Sequence, residues 1–222
     1  MKPAELLEFL TMAEKLKCNT RHSYTSSGRH ESVAEHSFRL ALMAYMVSDE
    51  VPEIDTDKVI KMCLIHDLGE AITGDIPSFE KTDSDEAAED SAVSGFVNKL
   101  PEYWKQQLGE MYREMNELKT PEAKLYKALD KLEAVIQHNE ADISTWLPLE
   151  YDLQLTYGIE ECSFNEYINS LRDEVRAVSE KKIKDNSKTA GRVIPTAVLS
   201  VIMKFIFPCF RRLRADICIL RR

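Results

Sequence analysis

Glycine and proline are scarce in this sequence. Its 222 residues include only seven glycines and eight prolines, too few for a loop-rich or low-complexity chain. The hydrophobic fraction of 44% and the charged fraction of 30% are typical of a globular protein. A chain of this length can form one domain whose core is deep enough to bury a polar site, and a second full domain is not expected.

Paired cysteines are also missing. The five cysteines include no CxxC spacing, so the sequence indicates neither a disulfide framework nor a zinc knuckle, and it favours the reducing cytoplasm. The first ten residues, MKPAELLEFL, carry Glu5 and Glu8 where a secretory signal needs an uninterrupted apolar stretch. Export is therefore not expected.

Basic residues are few before the C-terminal segment. Residues 181–222 hold eleven Lys and Arg and two Asp, which leaves 18 basic and 36 acidic residues in 1–180. Such an acidic body repels nucleic acid, so no nucleic-acid partner is expected. A small anionic substrate would need a local positive group, such as a metal ion or a suitably placed arginine.

Apolar residues recur at helical spacing, and no alternating run predicts a sheet. The sequence therefore predicts an all-α fold, a single helical bundle with a C-terminal extension. Predicted helices cover about 3–17, 32–48, 56–68, 101–117, 121–139 and 163–182. The first helix has Leu6, Leu7, Leu10 and Ala13 on one side. Predicted loops cover the polar segment 18–30 and the acidic segment 80–90, the latter leading into a helix.

The composition changes near the C-terminus, so we divide the chain into a domain of residues 1–182 and a basic, apolar extension of residues 183–222. Residues 193–210 are apolar, but Lys204 and two prolines interrupt them. This interruption favours a docked or disordered extension over one that contacts a membrane.

Two histidines and two aspartates suggest a metal site. His36 and His66 each fall on the apolar face of a predicted helix, and Asp67 follows His66. Asp130 shares a helix face with Tyr126 and Ala134, away from Lys124 and Lys127, which we expect to face solvent. A buried carboxylate needs a cation, either a metal or a buried base.

Either histidine alone is more simply a core residue satisfied by hydrogen bonds. Together, the four side chains favour one divalent metal ion. The mixed nitrogen and oxygen donors suit Mn, Fe, Co, Ni or Zn better than Mg or Ca.

Three motifs carry a family resemblance: ESVAEHS around His36, the pair His66-Asp67, and ALDKLEA around Asp130. Over about residues 5–180 the chain resembles the HD-domain metal-dependent phosphohydrolases. The segment HDLGEAITGDIPS resembles the bacterial 5'-deoxynucleotidases and related eukaryotic HD-domain proteins. The resemblance implies an HD-domain bundle, a homodimer, and hydrolysis of nucleoside 5'-monophosphates, deoxynucleotides above all, to nucleoside and phosphate.

The resemblance also assigns roles to individual residues. It implies that Glu70 and Asp75 are catalytic, with Glu70 the acid or base, and that Arg21 binds phosphate. The remaining assignments are the metal ligands His36, His66, Asp67 and Asp130 and the substrate-pocket residues Asp75, Ile76, Pro77 and Ser78. In the 5'-deoxynucleotidases a tryptophan typically follows the arginine, whereas His22 follows Arg21 here, so the sugar preference stays open.

Several alternatives remain at this point. Glu70 and Asp75 can be explained as turn caps, and His22, His30 and His138 have no predicted partners. The substrate can be another small phosphorylated metabolite, cleaved by a phosphohydrolase or phosphodiesterase. A regulatory module that binds metal and nucleotide without turnover is a third possibility, which the complete ligand set and Glu70 disfavour.

Overall fold

The computed structural model describes residues 1–189 of the chain. Helices dominate them, as the sequence predicts. In chain order the helices are α1 Pro3–Ala13, α2 Val33–Met46, α3 Thr56–Ile65, α4 Glu70–Thr73, α5 Asp83–Val97, α6 Glu102–Glu117, α7 Pro121–Glu140, α8 Glu150–Thr156, α9 Ile159–Cys162 and α10 Glu166–Thr189. Short 3-10 turns cover Glu14–Lys17, Ser48–Glu50 and Ile143–Thr145.

Helices α2, α3 and α7 enclose the main core. Leu40, Met62 and Leu129 contribute one side chain from each helix, and all three are fully buried. A smaller cluster around Val33, Leu68 and Phe96 lies beside it. Because α2, α3 and α7 pack directly on one another, polar side chains on their inner faces are brought together.

Local signals fix where these three helices begin. Ser32 caps α2, accepting the Glu35 amide at 3.2 Å, while the Glu35 side chain accepts the Ser32 amide at 2.9 Å. Asp55 caps α3 by accepting the Lys58 amide at 3.1 Å. Thr120 caps α7, whose first residue is Pro121.

The polar segment 18–30 is not simply a loop, as the sequence had suggested. Strands β1 Thr20–Tyr24 and β2 His30–Ser32 form an antiparallel hairpin there. Their buried side chains include Ser23 and Glu31, joined by a 3.0 Å hydrogen bond. Since polar residues occupy the inner positions, the strands show no hydrophobic alternation that would predict them.

The acidic segment 80–90 was predicted as a loop that leads into a helix, but the helix already covers most of it. Helix α5 begins within it at Asp83, after Thr82, whose side chain hydrogen-bonds to Asp85 at 2.6 Å. Acidic side chains stabilise the positive end of the helix dipole when they lie in the first turn. The charge run is therefore part of a helix start.

Both terminal helices differ from their predicted forms. The helix α1 ends at Ala13, and its packed residues are Phe9, Met12 and Ala13, whereas Leu6, Leu7 and Leu10 are exposed. Helix α10 continues to Thr189, past the expected end at 182. The predictions for residues 190–222 lie outside the described residues. No helix within residues 1–189 is long and apolar enough to cross a bilayer.

Candidate metal centre

Four side chains from α2, α7 and the end of α3 meet at the core. The Nε2 atoms of His36 and His66 are 3.2 Å apart. Asp67 Oδ2 is 3.0 Å from His66 Nε2, and Asp130 Oδ1 is 3.3 Å from His36 Nε2. We call His36, His66, Asp67 and Asp130 the metal cluster. The structure thus brings together the four residues that the sequence singled out as ligands.

The outer nitrogens of both imidazole rings have partners. His66 Nδ1 donates to the Cys63 carbonyl at 2.8 Å, so the proton of the neutral ring is on Nδ1. His36 Nδ1 contacts the carboxylate of Glu133, which is fully buried and also accepts from Arg39 Nε at 2.7 Å. These contacts orient both rings so that their Nε2 lone pairs face each other.

The geometry of the metal cluster fits a divalent ion. While both rings are neutral, their facing Nε2 lone pairs cannot hydrogen-bond to each other, and a cation is needed between them, either a second ring proton or a metal ion. The buried Asp67 Oδ2 has no hydrogen-bond partner among residues 1–189. Ligand atoms held about 2.1 Å from one ion are about 3 to 3.4 Å apart. The three shortest spacings within the cluster fall in this range. The two longer ones, 3.9 Å from His36 Nε2 to Asp67 Oδ2 and 3.8 Å from His66 Nε2 to Asp130 Oδ1, fit ligands at wider angles around the same ion.

A cavity of about 360 Å³ opens beside the metal cluster. Asp67 and Asp130 lie in its wall, together with Glu70, which was predicted to be catalytic, and every residue predicted to bind substrate: Arg21, Asp75, Ile76, Pro77 and Ser78. Arg21 extends from β1 and places Nη1 3.6 Å from Asp67 Oδ2. A guanidinium in this position offsets the negative charge of the carboxylates around it.

Glu70 is the first residue of α4, directly after Gly69. A Cβ atom at Gly69 would lie 2.7 Å from Glu89 Cγ, so α4 packs close against α5 here. Glu70 is buried, and its Oε2 has no hydrogen-bond partner in the described part of the chain. Burial, followed by the charges of Asp67 and Asp75, raises the pKa of Glu70 to about 10.

Lys127 does not face solvent as the sequence had suggested. Its Nζ lies 2.8 Å from Asp130 Oδ2 and borders the cavity. Burial alone would raise the pKa of Asp130, but Lys127 and then His36 hold it well below its usual range. A signal was present in the sequence, because residues three apart share a helix face.

His22 and His138 also have a partner that the sequence did not indicate. Both approach Oε1 of Glu150, at 3.1 Å and 2.9 Å, and all three residues border the cavity. They come from β1, α7 and α8. No local spacing links such distant segments, and α8 itself was not predicted.

Comparisons with known proteins agree with this architecture. The family model described as HD domain matches residues 13–172. The chain is 32% identical to human 5'-deoxynucleotidase HDDC2 over 139 residues, which cover 61% of this chain and 67% of that protein. It is 33% identical to 5'-deoxynucleotidase HDDC2 of Dictyostelium discoideum over 144 residues, which cover 60% and 76%.

Two solved structures share the fold. A predicted metal-dependent phosphohydrolase from Magnetospirillum magnetotacticum superposes with a TM-score of 0.68 at 24% identity, covering 82% of this chain and 95% of that one. A conserved hypothetical protein from Pyrococcus furiosus gives a TM-score of 0.59 at 30% identity, covering 78% and 99%. The region matched by the family model contains the whole metal cluster and every residue that borders the cavity.

Proposed function

The chain belongs to the HD-domain family, and from this premise we propose that it cleaves nucleoside 5'-monophosphates, deoxynucleotides above all, to nucleoside and phosphate. The main support is the position of the metal cluster, which borders a cavity that also presents Arg21 and Glu70. The names of the human and Dictyostelium relatives support the choice of substrate.

We propose His36, His66, Asp67 and Asp130 as ligands of one Mn, Fe, Co, Ni or Zn ion. Two imidazole nitrogens among four donors favour these metals over Mg and Ca, which prefer oxygen donors throughout. When bound, such an ion lowers the pKa of its water into the neutral range and offsets the charge of phosphoryl oxygens.

Arg21 is proposed to bind the phosphate group. Its guanidinium lies beside Asp67 at the cavity wall, and only 17% of the side chain is exposed. A planar guanidinium can donate two parallel hydrogen bonds to phosphate oxygens. The turn from Asp75 to Ser78 borders the same space, and we assign it to substrate binding.

Glu70 is proposed to accept the proton of the attacking water. Burial and the charges of Asp67 and Asp75 raise the pKa of Glu70, which favours uptake of a proton, and positive charge brought by the metal would oppose this shift. Burial also raises the pKa of Asp75, although the positive charge of Arg21 partly offsets this rise. Asp75 is therefore the second carboxyl group that can carry a proton in this cavity.

Replacing Glu70 with glutamine tests this proposal. Glu70→Gln keeps the size of the side chain but cannot accept a proton, so we expect turnover to fall about 100-fold or more, with metal content and KM nearly constant. Phosphate release is measured from deoxynucleoside and ribonucleoside monophosphates and from other small phosphate esters, with Mn, Co and Mg. The matched control is Glu80→Gln, the same change at an exposed site outside the cavity.

Two results would contradict these assignments. Full turnover in Glu70→Gln with metal bound would exclude Glu70 as the proton acceptor and make Asp75→Asn the next variant. A wild-type protein that releases phosphate only from compounds other than nucleotides would contradict the proposed substrate.

We also propose a homodimer. The outer face of α2 exposes Phe38, Leu42, Tyr45 and Met46, with exposed fractions of 68%, 47%, 63% and 68%. Contiguous apolar side chains on one helix face commonly mark a protein interface. Sedimentation equilibrium of the full chain would measure this directly, and a monomer at all concentrations would contradict it.

The chain's organisation and location remain proposals too. We propose a phosphohydrolase domain of residues 1–182 followed by an extension of residues 183–222, whose first residues continue α10. Cys63 and Cys162 are buried free thiols, which fits the cytoplasm as the location we propose.

A further inference from the structure

A second group of metal-binding side chains lies away from the metal cluster. We call His22, His138 and Glu150 the distal cluster, and one donor atom from each lies within 4.8 Å of the others. Helix α7 carries both Asp130 and His138, eight residues apart. At 1.5 Å per residue, this spacing separates them by about 12 Å along the helix axis.

The contacts around the distal cluster leave one carboxylate oxygen facing two imidazoles. Glu150 Oε2 accepts the Leu147 amide at 2.6 Å, whereas Oε1 lies between His22 Nε2 and His138 Nε2. Burial by itself would raise the pKa of Glu150. The contacts with His138 and with the Leu147 amide instead hold this pKa below its usual range. With Oε2 held by the Leu147 amide, Oε1 faces both imidazoles and can act as a ligand.

His138 is oriented as a metal ligand usually is. Its Nδ1 lies 3.0 Å from the Ala134 carbonyl, which can only accept, so Nδ1 carries a proton. In the neutral ring Nε2 then has only a lone pair, directed at a carboxylate oxygen 2.9 Å away. Two acceptors at this distance need a cation between them, either a second proton on the ring or a metal ion.

We propose that His22, His138 and Glu150 bind a second transition-metal ion at the end of the cavity remote from the metal cluster. Two imidazole nitrogens and one carboxylate oxygen are a donor set suited to Zn, Co, Ni or Fe, and leave positions open on the ion. The 3.1 Å and 2.9 Å separations match ligands about 2.1 Å from a shared ion.

The separation from the first site defines what this ion can do. Two metals that clamp one phosphoryl group are about 3.5 to 4 Å apart, far less than the spacing along α7. The distal ion would therefore join β1, α7 and α8 in the wall of the cavity, beside the part of a bound molecule remote from the phosphate. The proposal does not depend on which ester the enzyme cleaves.

Cobalt counting tests the second site without an activity assay. The full-length protein is stripped with a chelator, equilibrated with Co²⁺, and analysed for cobalt per chain and for visible cobalt absorption. We expect two ions in the wild type and one in both His138→Ala and His22→Gln. Asp130→Ala should also lose one ion, but a different one, so its cobalt spectrum should differ from those of the two histidine variants.

The matched control is His30→Ala, which removes a histidine of the same hairpin outside the distal cluster and should keep two ions. Using both His138→Ala and His22→Gln guards against a folding defect in either one. A wild type with one ion overturns the proposal, and so do two ions retained by both histidine variants. Either result would mean that protons on the imidazoles supply the positive charge facing Glu150.

Discussion

The two ends of the cavity differ in how firmly their side chains are held. In the metal cluster, the His36 side chain is fully buried and 4% of the His66 side chain is exposed, and each ring has a partner on its outer nitrogen. In the distal cluster, 27% of the His22 side chain and 16% of the His138 side chain are exposed. The rings of the metal cluster are thus oriented before any ion binds. In the distal cluster only His138 lies on a core helix, and His22 and Glu150 depend on a short hairpin and a short helix.

This difference bears on catalysis. Chemistry at a phosphoryl group requires ligands and proton acceptors in fixed positions, since small displacements are costly in rate. The inner faces of α2, α3 and α7 supply such positions. A cavity wall that contacts the remainder of a substrate tolerates more movement, and α8 and the His22 side chain lie in that part of the wall. Substitutions should therefore have unequal effects at the two ends.

Asp130→Ala should have the largest effect. It removes a ligand of the metal cluster and the partner of Lys127 together, so we expect phosphate release to fall to background. His138→Ala, on the same helix, should cause a smaller loss. Turnover of both variants at saturating metal measures the difference, with circular dichroism to establish that each is folded. Equal losses would show that the two ends contribute alike.

The metal cluster could be proposed from the sequence because its ligands interrupt apolar faces. His36 and His66 fall where the helical period places core residues, so their polarity stands out. Asp130 does the same within α7. Burial of these positions follows from the sequence pattern. The family resemblance indicated that these residues bind the same metal ion. Their convergence nevertheless required the packing of α2, α3 and α7, which no local pattern contains.

The distal cluster could not be predicted, because its residues meet only through packing that no local sequence pattern contains. His22 belongs to a hairpin whose inner residues are polar, and Glu150 starts a helix of only seven residues. Neither element has enough apolar residues for a detectable period. The partner of His138 therefore became visible only in three dimensions. Lys127 is different, since its spacing from Asp130 was a signal that we interpreted wrongly.

Glu133→Gln should have an intermediate effect. Glu133 orients His36 from behind, and loss of such an outer partner typically weakens metal binding about 10-fold to 100-fold. Competition of the metal-free protein with a coloured chelator would measure Co²⁺ affinity. Glu140→Gln is the control, because Glu140 also pairs with Arg39 but does not contact His36. Unchanged affinity in Glu133→Gln would mean that burial alone orients the ring.

Ser32→Ala should have the smallest effect, and on stability more than on metal binding. Ser32 caps α2, the helix that carries His36, but it is not part of the metal cluster. Loss of a serine cap typically lowers the free energy of unfolding by about 1 kcal/mol. Urea unfolding of the metal-free protein measures this, with Ser26→Ala in the exposed hairpin loop as the control.

If packing and ring partners hold His36 in place, the Co²⁺ affinity of Ser32→Ala should stay within about threefold of wild type, since that factor equals only about 0.65 kcal/mol. A larger fall would show that the start of α2, and not the buried partner Glu133, sets the position of the ligand.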